Sequence, residues 1–355
     1  MTPAGVSVGP AARPSATAEV PACRLIRLEK MPNTRRVAAV VVHYGDHQRT
    51  VRAVLGHWDL KVFTRIIVVA NDQSQRPTEL TDEICAWLIP SRNLGFGSGC
   101  QFGAETYPAD VYAFFNAHVT MDSSSVRSCV SAFDIPDVGI IAPNVHLPGT
   151  GSPEKDWEYT RCVRTYSPLL RLAIRVPLPR SAGTTGAGSA GEVIDNEWAT
   201  GCAIFCRSEI ITDIGWDGSY FLTWEDADIS MRARRGGWRV VTVPTALACH
   251  TGQSTRPHAL SAYYSMRNPI WFYRRYWGRP RQVLLTFYLI LLLLRIATAD
   301  VVRRRTPRHA PRAACGIVDG WALRPSGKDP LPGEPLRLPR AQRRVAAARL
   351  GRERS

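Results

Sequence analysis

The sequence predicts an α/β fold built on a mostly parallel sheet, and three observations carry that reading. Short β-branched runs bounded by turn residues alternate with segments of helical period. The runs are continuously apolar instead of alternating, the pattern of strands covered on both faces. At 355 residues, with 45% apolar and 21% charged residues, the chain can also bury the core that such a sheet needs.

Residues 1–35 lack both a basic start and a continuous apolar stretch, so they read as a disordered Pro/Ala leader and not as a signal peptide. VAAVVVHY (37–44), RIIVVAND (65–72), VYAFFNAH (111–118) and VGIIAPNV (138–145) are the candidate strands. Segments 47–58, 76–87, 97–106 and 122–133 have the length of crossover helices in β-α-β units. Residues 145–200 break the rhythm, and SAGTTGAGSAGE at 181–192 reads as a flexible loop. Order returns at 198–215, and a helix is expected to open at Glu225 and to end on Gly236-Gly237 before a strand at 238–243. An aromatic, Arg-studded helix follows at 258–277. The main domain is therefore placed at 36–277, with an apolar helix at 278–300 and a basic Arg/Pro-rich tail at 301–355.

The net charge of +15 is not spread along the chain. Residues 1–263 carry 25 Lys+Arg and 25 Asp+Glu, against 20 and 5 in 264–355. A neutral body with a basic end suits an enzyme held at an anionic membrane surface better than a groove that tracks nucleic-acid phosphates, so no nucleic-acid partner is expected. The nine cysteines are odd in number and scattered without a C-x-x-C pair, so neither a zinc ribbon nor a disulfide framework is indicated, and reduced thiols in the cytoplasm are expected.

Open α/β sheets bind ligands beyond the carboxyl ends of their strands, and those ends are polar here. They read His43-Tyr44-Gly45-Asp46, Asn71-Asp72-Gln73-Ser74 and Asn116-Ala117-His118. Any one of them is also ordinary turn chemistry. Asn93-Leu94-Gly95-Phe96-Gly97-Ser98-Gly99 fails the G-x-G-x-x-G dinucleotide pattern; it leaves a tight turn feeding a helix, either a plain cap or a place for a diphosphate. Thr223-Trp224-Glu225-Asp226-Ala227-Asp228 crowds three carboxylates into one turn. A Thr223/Asp226 capping box and an Asp228–Arg232 pair account for part of it; a carboxylate beside aromatic rings is also a general base for a sugar hydroxyl. His250 ends a strand-like segment, and His118 is the residue that could converge on it as a second metal ligand.

Taken in order, VVHYGD (41–46), VANDQS (69–74), NLGFGSG (93–99), NAH (116–118), GCAIFCR (201–207), EDAD (225–228), PTALACHTGQS (244–254) and RN (267–268) resemble the family 2 inverting glycosyltransferases of the GT-A fold, particularly their rhamnosyltransferase-like and galactofuranosyltransferase-like branch. The resemblance implies a Rossmann-like nucleotide-diphospho-sugar transferase. It assigns Asp226 as the base and Tyr44, Asn71, Asp72, Asn93, Gly95, Asn116 and Arg267 to the nucleotide-sugar. Trp224, with Tyr220, and Glu225 would contact the acceptor, and His118 and His250 would hold a divalent cation, Mn²⁺ or Mg²⁺. Two positions depart from the family pattern: Asn71 stands where an acid is usual, and His118 replaces the Asp of N-P-D, which favours Mn²⁺ over the oxygen-seeking Mg²⁺. The implied partners are a nucleotide-sugar donor, such as a dTDP-rhamnose-like or UDP-sugar, and a glycan or lipid-linked glycan acceptor in cell-wall polysaccharide synthesis. A degenerate body serving as a scaffold through its basic tail is the competing reading.

The run VLLTFYLILLLLRIATA (283–299) spans about 26 Å at 1.5 Å per residue, short for a bilayer core of about 30 Å. Arg295 interrupts it and arginines flank both ends, so an in-plane helix on the inner face of the plasma membrane is expected, with a core helix or a span as the alternatives.

Overall fold

The computed structural model describes residues 35–146, 193–250, 259–302 and 309–323. The expected leader at 1–35 (apart from Arg35), the loop at 181–192 and the tail beyond 323 lie outside the described residues.

Strands β1 (Val37–His43), β2 (Arg65–Ala70), β3 (Ala86–Leu88) and β4 (Val111–Asn116) form a parallel block. With β5 (Val119–Met121), β6 (Val138–His146), β7 (Ile194–Asp195), β8 (Ala203–Arg207) and β9 (Arg239–His250) they make one nine-stranded sheet. Its order is β3-β2-β1-β4-β8-β6-β9-β5, with β7 also on β9. β6 and β9 are parallel, and β8 runs antiparallel between β4 and β6. The mostly parallel sheet of the sequence reading is thus present, with β8 antiparallel inside it and β5 and β7 antiparallel to β9.

The continuous apolar runs follow from two covered faces. Val37, Ala39 and Val41 of β1 point into one core layer under α1 (His47–Asp59) and α3 (Ser123–Ser131), whereas Ala38 and Val40 point into the other, under α2 (Phe96–Ala104) and α4 (Glu225–Arg235). Asp46 and Asp122 cap α1 and α3 by accepting the Arg49 and Ser125 amides at 3.1 and 2.7 Å. The glycines of α2 serve close packing: a Cβ on Gly103 would come within 2.6 Å of Val40.

Three expectations need correction. Segment 76–87 is not a helix but a chain of turns that bury Leu80 and Cys85 and lead into β3; Pro77 and the lack of an apolar stripe leave nothing to build a helix face. The strand at 238–243 continues to His250, with a register shift near Asn144 that lets its second half pair with β5. The basic tail is not all tail, because α7 (Ala310–Ala322) follows α5 (Ala259–Tyr276) and α6 (Gly278–Val302). These three helices bury Ile270, Phe272, Leu285, Leu289, Ala313 and Ile317 in a third core with Trp198 and Tyr220. Five described cysteines are buried and none forms a disulfide.

Candidate active site

The carboxyl ends of β1, β2 and β4 meet the start of β8 and the N-terminus of α4 at one edge of the sheet. On the donor side, Tyr44 is exposed at the tip of β1. Asp72 accepts the Gly45 amide at 2.8 Å and the Ser74 hydroxyl at 2.6 Å, and lies 3.3 Å from His43 Nε2. Against the upward push of partial burial, those bonds hold its carboxyl below the ordinary value. His47 and Trp87 stack beside His43 with ring centroids 6.2 Å apart, an aromatic pair that the motifs did not flag.

Asn71, expected at the nucleoside, is 4% exposed and committed elsewhere. Its amide donates to the Gly95 carbonyl at 2.7 Å and its oxygen accepts the Leu94 amide at 3.3 Å. An amide can do both where a carboxylate cannot donate, which gives the departure at this position a structural reason. Asn93 accepts the Gly95 amide at 2.9 Å. Gly95 has φ 76°, and a Cβ there would lie 2.1 Å from the Phe221 carbonyl. That carbonyl takes the Phe96 amide at 2.8 Å, so of the two roles open to this turn, plain cap or diphosphate site, the structure shows a backbone cap at the start of α2.

On the base side the chain is strained. Phe221, Thr223 and Trp224 have φ of 62°, 66° and 72°, the left-handed region that such residues avoid. Trp224 N-caps α4 in this conformation, so the Thr223/Asp226 capping box is not formed. Two neighbours on α5 hold the loop. Asn268 Nδ2 donates to the carbonyls of Tyr220, Leu222 and Thr223 at 2.9, 2.7 and 2.8 Å. Arg267, expected at the diphosphate, is 1% exposed; it donates to the Ser219 and Tyr220 carbonyls at 2.7 and 3.1 Å and stacks on Trp271. Arg275 bridges Asp217 and Asp228 at 2.8 and 3.0 Å, and Asp228 also pairs with Arg232 as expected. Asn268 was visible only as the second letter of the RN pair.

This clamp aims Asp226. Its Oδ2 accepts the Gly201 amide at 2.7 Å and its Oδ1 the Ala227 amide at 2.8 Å. Burial raises the carboxyl above its ordinary range while both amides oppose the shift. Glu225, expected to orient the acceptor, turns away: it is 5% exposed, lies against Gly97, and its Oε2 is buried without a partner among the described residues. Burial, then the charge of Asp226, pushes its carboxyl up, and burial raises Asp226 as well, so the two adjacent carboxyls gain and lose protons as a pair. Tyr220 is fully buried and offers the acceptor no face, and half-buried Trp224 packs on Phe272 and Tyr273.

The half-buried histidines do meet. Val119 pairs with His250 across β5 and β9, which brings the His118 and His250 rings to 4.7 Å. Burial, reinforced by His250, lowers His118 to about 4, and burial lowers His250 too, so both rings are neutral with lone pairs free of protons at pH 7. His250 Nδ1 is buried without a hydrogen-bond partner among the described residues. Those are the properties of metal ligands, although no group of three such side chains occurs among the described residues. The pair adjoins Asp226 through the chain: Asn116, two residues before His118, donates its amide to the Cys202 carbonyl next to Gly201.

Comparison with known proteins bears on the fold. PcManGT, a mannosyltransferase from Pyrobaculum calidifontis solved with GDP-Man and Mn²⁺, superposes with a TM-score of 0.50 at 10% identity over 81% of this chain and 88% of that one. The fold is GT-A. GalNAc-T7, solved with UDP, GalNAc and Mn²⁺, gives a TM-score of 0.46 at 14% identity over 68% of this chain and 51% of its own. In sequence, 88 residues are 31% identical to the galactofuranosyltransferase GlfT2 of Mycobacterium tuberculosis, a stretch covering 24% of this chain and only 13% of that protein. No family model matches. The GT-A likeness and the GlfT2 match support the resemblance to family 2-like glycosyltransferases that the motifs carry.

Proposed function

We propose that the protein is an inverting glycosyltransferase that moves a sugar from a nucleotide-diphospho-sugar to a hydroxyl of a glycan or lipid-linked glycan. The observation that carries this reading is Asp226, a half-buried carboxylate held by two backbone amides at the strand-end edge of a GT-A sheet. In this reading Tyr44, Asp72 and the His47/Trp87 pair receive the nucleoside, and Asn71, Asn93 and Gly95 shape the turn beside it. Asp226 takes the proton of the acceptor hydroxyl as its oxygen bonds to the anomeric carbon from the face opposite the diphosphate. The glycosidic carbon–oxygen bond breaks with its electron pair leaving on the diphosphate. His118 and His250 are the residues that would hold a divalent cation, which would neutralise the charge growing on that leaving group.

The test is calorimetric titration with UDP-, dTDP- and GDP-sugars in Mn²⁺, followed by assays of slow donor hydrolysis. Binding of at least one donor with release of its nucleoside diphosphate is expected. No binding by any of them would favour the scaffold reading.

A further inference from the structure

Helices α6 and α7 present an apolar face left open to solvent. Leu285 and Leu289 of α6 are buried in the core shared with α5 and α7. Val283, Leu284, Phe287, Ile290, Leu291 and Leu294 are exposed, Phe287 at 62%. Their spacing of three and four makes one stripe about 16 Å long. α7 widens it with Val318 and Trp321, the latter fixed beside α6 by its Nε1 donating to Thr286 Oγ1 at 3.0 Å. Exposed apolar residues are normal when scattered, but a contiguous row marks a contact surface.

We propose that this two-helix face lies in the plane of an anionic lipid bilayer. Charge selects that occupant. Arg279, Arg281, Arg295 and Arg312 are exposed on the same two helices. Residues 278–323 hold eight arginines against two acids, and Asp319 is engaged by the Tyr263 hydroxyl. A second copy would set arginines against arginines. The chain's own end is a poor cover as well, with nine Lys+Arg against three acids in 324–355. Lipid phosphates, by contrast, meet the arginines while acyl chains take up the leucines and the phenylalanine. Among the described residues no helix is long and apolar enough to cross a membrane, which suits a helix lying along the surface. This surface does not depend on the sugar-transfer reading.

The experiment is co-sedimentation of the full chain with vesicles of phosphatidylcholine alone or with about one third phosphatidylglycerol, at low and high salt. Binding to the anionic vesicles, weakened by salt, is expected. The pair Phe287→Glu and Leu291→Glu should reduce partitioning more than tenfold with the circular dichroism spectrum unchanged, since both side chains are exposed. Should that pair perturb folding, Arg279→Gln with Arg281→Gln provides the second variant, each change costing about fivefold. No binding at low salt overturns the proposal. So does binding that survives the Phe287/Leu291 pair yet disappears when Arg340, Arg343, Arg344 and Arg349 of the tail become Gln. A lipid-free dimer in sedimentation that the same pair dissociates would assign the face to a second copy and also overturn it.

Discussion

The two sides of the candidate site are held in different ways. On the donor side, each strand end is fixed within its own neighbourhood: Asp72 by Gly45 and Ser74, and the 93–95 turn by Asn71 and Asn93. On the base side, the loop before α4 is bent into left-handed geometry at three residues without glycine, and side chains more than 40 positions away hold it there. Such φ values cost on the order of 1–3 kcal/mol each and persist only where surrounding contacts impose them. The donor side is thus held mostly by nearby residues, with one positive-φ residue other than glycine, Gln73 (62°), and one distant bond, from the Phe96 amide to the Phe221 carbonyl. The base side carries three positive-φ residues within 221–224 and depends on how α5 docks.

The largest effect expected from that contrast is at Asp226. Asp226→Asn should lower the transfer rate by about 10²–10⁴ and leave nucleotide affinity nearly unchanged, because the donor-side bonds do not involve it. Single-turnover rates with calorimetry of nucleotide binding read both. A matching loss of affinity would show that the two sides are not separable, and near-normal turnover would move the base elsewhere.

The same contrast explains what the sequence could reveal. Continuous apolar runs placed four principal strands of the sheet, and polar strand ends marked the edge where the candidate site lies, because both are local patterns. The loop at 221–224 offered no such signal: Phe221, Thr223 and Trp224 are poor candidates for positive φ, and only the docked α5 explains them. Arg267 and Asn71 were assigned to ligand because ordered motifs tell which residues matter without telling whether they touch the substrate or support those that do. Helix α7 was hidden by the low-complexity Arg/Pro sequence around it.

A smaller effect separates support on the two sides. Asn268→Asp keeps the shape but removes both N–H groups that serve three carbonyls, so the strained loop should relax and kcat should fall by about 10–10² with donor KM little changed. Asn71→Asp removes the donor to Gly95 and should instead raise donor KM while leaving kcat nearer to normal. Steady-state kinetics of the pair provide the check. If both variants shift kcat and KM alike, the division into a donor side and a base side fails.

The smallest effect uses pH, to which the two sides should respond with opposite signs. His57, buried near the end of α1 against Phe115 with ring centroids 4.3 Å apart, is lowered by burial to about 4. An unfolded histidine binds its proton near 6.5, so between about 6.5 and 4 the unfolded chain holds the extra proton and stability falls as pH falls. For this one residue the loss reaches about 2 kcal/mol by pH 5. His43, His118 and His250, also lowered mainly by burial, act in the same direction. Glu225 and Asp226 act in the other: their carboxyls are raised, so the stability they contribute is present at low pH and is lost as pH rises through the raised values. Urea unfolding at pH 7 and pH 5 should show His57→Phe losing about 2 kcal/mol less than wild type, while Glu225→Gln, which removes a carboxyl raised to about 8 whose stabilisation is greater at pH 5 than at pH 7, loses more than wild type. Equal acid losses in wild type and His57→Phe would mean that His57 is not held neutral, and the acid-sensitive side of the comparison would then rest on the site histidines alone.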